Sequence, residues 1–161
     1  MAQIKAPVMA PIMAPIMAPI ADARVARIVA LFERLAPADV ARLGEVYAAG
    51  VRFKDPFNDV RGVPEVQRIF ADMFIALSEP RFLVHAAIVE GDQCVLTWDF
   101  LFRFKRASAV LQSVHGSSHL VLDAQGRITL HRDYWDAAEE LYEKLPVVGA
   151  LMRWLKRRAG S

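Results

Sequence analysis

The change of hydrophobic period at Pro80 constrains the fold of this chain more than any other feature. Before Pro80, apolar residues recur every three or four positions, as on one face of an α-helix; after it they recur at every second position, as on one face of a β-strand. A sheet face lined by large apolar side chains must be covered, and the preceding helices are the cover that the sequence offers. The clearest such face comprises Cys94, Leu96, Trp98, Phe100, Phe102 and Phe104.

Three amphipathic helices are predicted in the N-terminal half. The first begins near Asp22 and ends before Pro37, and the second covers residues 39–47. Pro64 suits the first turn of the third helix, which Ser78 and the two residues after it end. The apolar stripe of the first helix is Val25, Ile28, Val29, Phe32 and Leu35.

Strands account for most of the remaining sequence. A short strand, 51–53, leads into a corner rich in turn-forming residues, and four strands follow Pro80. Because the strands are joined by tight turns, we expect an antiparallel sheet. The prediction is an α+β fold in which three N-terminal helices pack on a curved antiparallel sheet and enclose a conical space suited to a small ligand. The four strands are 81–89, the long alternating strand, 113–122 and 127–135.

The chain divides into three segments. Residues 1–21 form an Ala-Pro-Ile-Met repeat whose prolines predict a flexible tail. Residues 22–136 form the folded domain, and residues 137–161 predict an amphipathic, basic helical extension. We expect this extension to pack on the domain or on a second subunit; because Trp154 lies among basic residues, a membrane surface is the less favoured alternative.

Composition excludes several classes of function. A formal net charge of +2 gives no basis for binding nucleic acid, and the single Cys94 excludes a disulfide framework or a cysteine-rich zinc site. The histidines form no helical metal-binding pair, although His115, His119 and His131 could meet through folding. The sequence contains no cofactor motif, so we predict neither metal nor cofactor. It contains no signal peptide or membrane span either, which leaves the cytoplasm as the default location.

The order of these motifs resembles the NTF2-like superfamily, in particular its ketosteroid isomerases and SnoaL-like polyketide cyclases. The segment 35–55 with its Asp55-Pro56 pair, the helix 62–74, and the final strands 119–135 carry the resemblance. The resemblance implies a cone-shaped pocket, and it implies that Asp55 holds the position of the isomerase general base. The tyrosine and protonated aspartate that complete the isomerase site fall on Leu31 and Ser118, so steroid isomerisation is disfavoured.

The same resemblance implies a different set of catalytic residues. SnoaL-like cyclases use an aspartate on the last strand, helped by a histidine, and Asp133 with His131 or His119 matches those residue types. We therefore predict Asp55, Asp133 and His131 as catalytic residues of acid/base chemistry such as isomerisation, cyclisation or hydration. The predicted lining of the pocket is Leu31, Phe70, Phe74, Trp98, Phe100, Ser118, His119, Leu120 and Trp135.

Simpler interpretations of these residues stay open. Asp55 could merely cap its turn, Asp133 could pair with an arginine, and His131 could be a hydrogen-bonded core residue. Asp99, on the polar face of the long strand, is expected to be solvated or to lie in a subunit contact. The leading hypothesis is a homodimer that binds a small apolar molecule; the alternative is a non-catalytic binding or protein-interaction module.

Overall fold

The computed structural model describes residues 19–105 and 108–136, the side chains of residues 108 and 109 excepted. The repeat tail, apart from its last three residues, and the predicted C-terminal extension lie outside this part of the chain. No helix within the described residues is long and apolar enough to cross a membrane.

The first helix, α1 (Ala23–Arg34), forms where the sequence predicts it. The Asp22 carboxylate caps it by accepting hydrogen bonds from the backbone N–H groups of Arg24 at 2.9 Å and Val25 at 3.4 Å. Such a cap satisfies donors that have no partner within the helix. Its buried stripe is Val25, Ile28, Val29 and Phe32.

The second predicted helix is more tightly wound than expected, and it begins and ends two residues earlier. It is a 3₁₀ helix, Pro37–Glu45, and it ends where the Val46 N–H bonds the carbonyl of Leu43 at 3.1 Å. Tyr47 already belongs to the following strand, so the prediction of a helix through Tyr47 is wrong at its end. The third helix, α2 (Val63–Ala76), begins with proline in its first turn, as predicted.

Within residues 19–105 and 108–136, six strands form one sheet in the order β2-β1-β6-β5-β4-β3. The predicted antiparallel sheet is in fact mixed, because β1 and β6 run parallel. Their parallel pairing places the first long strand of the sheet beside the last one. The strands are β1 (Tyr47–Lys54), β2 (Asp59–Arg61), β3 (Leu77–Glu90), β4 (Gln93–Phe104), β5 (Ser108–Leu122) and β6 (Ile128–Tyr134).

Strand β3 begins directly after α2, with no loop at the predicted stop. The pairing of β3 with β4 shifts register between Ser78 and Arg81, and Glu79 within this irregularity has φ 52°. A bulge on an edge strand accommodates Pro80, which has no N–H to donate. The helix does end at the predicted place, but the chain continues as strand.

The inner face of the sheet packs against the helices, as its alternating pattern predicts. Trp98 is 5% exposed and packs in the core with Phe32 of α1 and Phe70 of α2. The opposite face of β4 differs from expectation at Asp99, which is 6% exposed rather than solvated. Its carboxylate is covered because it lies between the histidine rings of the two neighbouring strands.

Candidate active site

A small cavity of about 30 Å³ lies between the inner face of the sheet and the helices. A space of this size has room for one or two water molecules. Its wall is mostly apolar and aromatic, with three polar residues on one side. The lining residues are Phe32, Phe70, Phe82, Val84, Leu96, Trp98, Ser118, Leu120, His131 and Asp133.

Strand pairing brings the polar residues together. On β6, His131 and Asp133 are two positions apart and therefore share a face. On β5, Ser118 lies opposite Asp133 and Leu120 lies opposite His131. All four side chains consequently point into the cone.

Five side chains form a continuous chain of hydrogen bonds across this interior. Trp98 Nε1 lies 2.8 Å from Ser118 Oγ, and Ser118 Oγ lies 2.5 Å from Asp133 Oδ1. Asp133 Oδ1 is also 2.9 Å from His131 Nε2, while His131 Nδ1 is 2.6 Å from the Tyr47 hydroxyl. Tyr47, Trp98, Ser118 and His131 are each no more than 6% exposed.

The indole group and an ionised Asp133 carboxylate together set the directions of these hydrogen bonds. An indole N–H can only donate, so Ser118 accepts from Trp98 and gives its own proton to Asp133. With Asp133 as an ionised acceptor, His131 donates from Nε2. The neutral imidazole then accepts at Nδ1, and Tyr47 donates to it. Every member of the chain is satisfied in this arrangement.

The environment of Tyr47 supports its role as a donor. Complete burial raises the pKa of the Tyr47 phenol well above its ordinary value, and the negative charge of Asp133 adds to the effect. Three aromatic rings enclose His131: Phe53 at 4.8 Å, Phe32 at 5.8 Å and Tyr47 at 5.9 Å between ring centroids. The phenol therefore stays protonated beside an imidazole held in a fixed orientation.

An open groove of about 500 Å³ lies on the other side of Asp133. Asp133 lines both the groove and the interior cavity, and its side chain is 16% exposed. The carboxylate thus lies between the cone and the surface. The groove is lined by Lys54, Asp55, Pro56, Arg132, Asp133, Tyr134, Trp135 and Asp136.

Asp55 lines the groove but not the cone. Its carboxylate accepts hydrogen bonds from the backbone N–H of Phe57 at 2.7 Å and from that of Asn58 at 2.6 Å. The Asn58 side-chain amide donates to both of its oxygens. This is the turn-capping arrangement expected of aspartate before proline, and a catalytic role for Asp55 stays a prediction.

The predicted lining residues are distributed over several places. Phe70, Trp98, Ser118 and Leu120 line the cavity. His119 lies on the outer face, where it contacts Gln93 Oε1 at 2.9 Å, because strict alternation holds along this part of β5. Trp135 follows the end of β6 and packs against Phe57 at the groove, 5.4 Å between ring centroids.

The other three predicted lining residues lie beside the cavity rather than on it. Phe100 stacks on Phe82 at 4.5 Å between ring centroids, so Phe82 presents the ring that reaches the cavity. Leu31 and Phe74 are partly buried against the core, and in α1 the next residue, Phe32, takes the inward position.

Tyr47 is the residue of the polar chain that sequence reasoning missed. Because its spacing also fits the apolar stripe of the second predicted helix, it was assigned to that helix rather than to the start of β1. The sequence did contain a signal for the strand. Tyr47, Val51 and Phe53 are four and two positions apart, as residues on one face of a strand are, and all three are buried.

The family model of the SnoaL-like domain matches residues 28–131, which include the cavity-lining residues except Asp133. No curated protein matches the sequence.

Solved structures with the same fold come from several bacteria. A protein named as a polyketide cyclase from Acidithiobacillus ferrooxidans shares 16% identity at a TM-score of 0.68, over 80% of this chain and 99% of that one. A protein from Catenulispora acidiphila with a ketosteroid isomerase-like fold, in complex with trimethylamine, shares 19% identity at a TM-score of 0.63. The match covers 74% of this chain and 89% of that one. An LEH-like epoxide hydrolase from M. tuberculosis shares 15% identity at a TM-score of 0.59, over 73% of this chain and 83% of that one. At these identities the likeness concerns the fold.

Proposed function

Because the chain belongs to the SnoaL-like domain family, we propose that it binds a small apolar molecule in the groove beside its cone and transfers a proton through Asp133. The observation that carries this proposal is the place of the Asp133 carboxylate between the cavity and the groove. The buried series of hydrogen bonds from Trp98 to Tyr47 also supports the proposal, because it fixes the position of Asp133.

Asp133 has the features of a general base. Its two hydrogen bonds, from Ser118 and His131, both reach Oδ1. Among the described residues no group donates to Oδ2, whose lone pairs can therefore accept a proton from a substrate or from water. The donors on Oδ1 orient the carboxylate toward the groove side of the site.

His131 contacts Asp133 directly, and Tyr47 acts on Asp133 through His131. As charge on the carboxylate changes during proton transfer, the imidazole N–H strengthens or weakens its bond to Oδ1. The Tyr47 hydroxyl, 2.6 Å from Nδ1, holds the orientation of the ring. In this proposal Asp133 is the catalytic residue, and His131 and Tyr47 are positioning residues.

The sizes of the two spaces indicate where a substrate binds. The groove, at about 500 Å³, falls in the usual range for small-molecule sites, whereas the cavity admits only water. Pro56, Tyr134 and Trp135 give the groove apolar surface, and Lys54 and Arg132 give it positive charge. Asp133 lines the groove, which is open to water, and this favours hydration over the other two predicted reactions. Asp133 takes a proton from a water in the groove, the water oxygen forms a bond to the substrate, and Asp133 then returns the proton to the substrate atom that received the electron pair.

A chromogenic probe tests the general base without knowledge of the natural substrate. In 5-nitrobenzisoxazole a base removes the single proton on the carbon next to nitrogen, the N–O bond breaks, and a coloured cyanophenolate forms. We expect the wild-type protein to accelerate this reaction, and Asp133→Asn to lower its second-order rate constant at least about 100-fold, the lower end of general-base contributions.

Two further variants identify the carboxylate responsible. Asp72→Asn removes an exposed carboxylate on α2 and should leave the rate unchanged. Asp55→Asn tests another carboxylate of the groove, and loss of the rate there with full activity in Asp133→Asn would refute the assignment of the base. A wild-type rate no faster than that of acetate at equal concentration would refute base catalysis at this site.

A second candidate function, association without catalysis, rests on apolar side chains of the outer sheet face. Ile88 and Val95 lie opposite each other on β3 and β4 and are 66% and 38% exposed. We propose that this pair contributes to a homodimer interface. Light scattering should show a dimer for the wild type and for Ile75→Glu, which alters an exposed residue of α2, and a monomer for Ile88→Glu; a dimer in all three would exclude this interface.

A further inference from the structure

Three adjacent strands bring two histidines and an aspartate together on the outer face of the sheet. His85 Nε2 on β3 lies 3.0 Å from Asp99 Oδ2 on β4, and His115 Nδ1 on β5 lies 2.8 Å from Asp99 Oδ1. The two imidazole rings are nearly parallel, 6.3 Å apart between centroids. This cluster is separate from the polar chain of the cone, which occupies the other face.

The sheet geometry that forms this cluster is specific. Asp99 pairs directly with His115 across β4 and β5. On β3 the register shifts between Val84 and Ala86, so His85 is the additional residue of a β-bulge. Bulges redirect side chains, and this one places the His85 ring beside Asp99 while Val84 stays in the cavity wall.

The cluster is closed on one side and open on the other. The side chains of His85 and Asp99 are 2% and 8% exposed, whereas that of His115 is 55% exposed. An ion could therefore enter past His115 and reach two ligands held firmly by their surroundings.

We propose that His85, Asp99 and His115 bind a divalent transition-metal ion, with Zn²⁺ as the best match. Two imidazoles and one carboxylate are ligands that suit Zn²⁺ and its neighbours in the first transition row, whereas Mg²⁺ and Ca²⁺ prefer oxygen ligands. Three protein ligands leave a fourth position for water, as in open zinc sites. The proposed ligand atoms are His85 Nε2, one Asp99 oxygen and His115 Nδ1.

The distances are compatible with this assignment. The candidate ligand atoms all lie within 4.8 Å of one another. Bonds of about 2.0–2.2 Å to one ion require them to surround a common point, which a small rotation of the exposed His115 ring provides. A metal ion binds only unprotonated imidazole nitrogens, so its binding releases any proton held at the ligating nitrogen atoms.

Calorimetric titration of the full, untagged chain with ZnCl₂ tests the proposal. We expect one ion per chain for the wild type. His115→Ala should weaken binding at least about 10-fold, because losing a ligand should cost no less than losing one of its outer partners. His119→Ala is the matched control, since it removes another histidine of β5 on the same face and should bind as the wild type does.

Cobalt provides a second readout that a merely structural cluster would not give. Co²⁺ bound by two imidazoles, a carboxylate and water shows intense visible d–d absorption, which His115→Ala should abolish and His119→Ala should retain. Absence of Zn²⁺ binding by the wild type, or equal affinity in His115→Ala and the wild type, would overturn the proposal. Because His115 is largely exposed, its replacement leaves the fold intact, and circular dichroism verifies this.

Discussion

His131 Nε2 lies 2.9 Å from Asp133 Oδ1, and both side chains point from the same strand into the cone. The two-residue period of β6 places them on one face, and the pairing with β5 adds Ser118 to the same carboxylate. The imidazole is held at its other nitrogen by Tyr47. The properties of Asp133 therefore depend on a residue at the start of β1, 84 to 86 positions earlier in the chain, which suggests several tests.

Replacing Tyr47 by phenylalanine should destabilise the protein. The change removes the hydroxyl that bonds His131 Nδ1 and leaves a buried acceptor unsatisfied, at a cost of about 1–3 kcal/mol. Urea denaturation measures the free energy of unfolding. Tyr134→Phe removes a hydroxyl from a residue that is 48% exposed and should change this free energy by less than about 0.5 kcal/mol. Equal losses in both variants would contradict the account.

Stability should fall in alkaline solution in a way that depends on Tyr47. Burial, and secondarily the charge of Asp133, raise the pKa of Tyr47, so the folded state keeps a proton that the unfolded chain releases near pH 10. The stabilisation that results from the raised pKa of Tyr47 is fully present below about pH 10. Above that pH it is lost at about 1.4 kcal/mol per pH unit. Urea titrations of the wild type and Tyr47→Phe at about pH 9 and 11 should show their stability difference narrowing. A constant difference would show that Tyr47 ionises as it does in water.

Gly116 provides a test of the packing beside Ser118. A Cβ atom at Gly116 would lie 2.8 Å from Trp98 Cζ2 and closer still to Cη2. The indole cannot move away without breaking its bond to Ser118, so Gly116→Ala should cost about 1–3 kcal/mol. Gly50→Ala is the matched control in a strand, because nothing lies within 4 Å of its added Cβ. We expect Gly50→Ala to be neutral or mildly stabilising. Equal losses of unfolding free energy in the two variants would contradict the close contact between Gly116 and Trp98.

Periodicity was sufficient to predict α1, α2, the inner face of β4 and the shared face of His131 and Asp133, whose inward direction was implied by the family resemblance. These features depend on neighbours along the chain, whose spacing the sequence displays directly. Tyr47 was misplaced because its spacing fits both the preceding helical stripe and the following strand.

Features that depend on strand pairing could not be predicted. The parallel neighbours β1 and β6 are far apart in sequence, and β2 is only three residues long. Asp99 appeared to be a solvated residue of a polar face. Its burial depends on the register that sets it opposite His115 and on the bulge that turns His85 toward it. No local pattern contains that information.

The protonation of His131 tests the central claim most directly. Nitrogen-15 NMR of the histidine side chains at neutral pH distinguishes the two tautomers of a neutral imidazole from the imidazolium. We predict a neutral His131 with its proton on Nε2, and a shift of the Nε2 resonance in Asp133→Asn. A proton on Nδ1 with none on Nε2 would make Nε2 an acceptor and contradict the assignment of Asp133 as an ionised acceptor and general base.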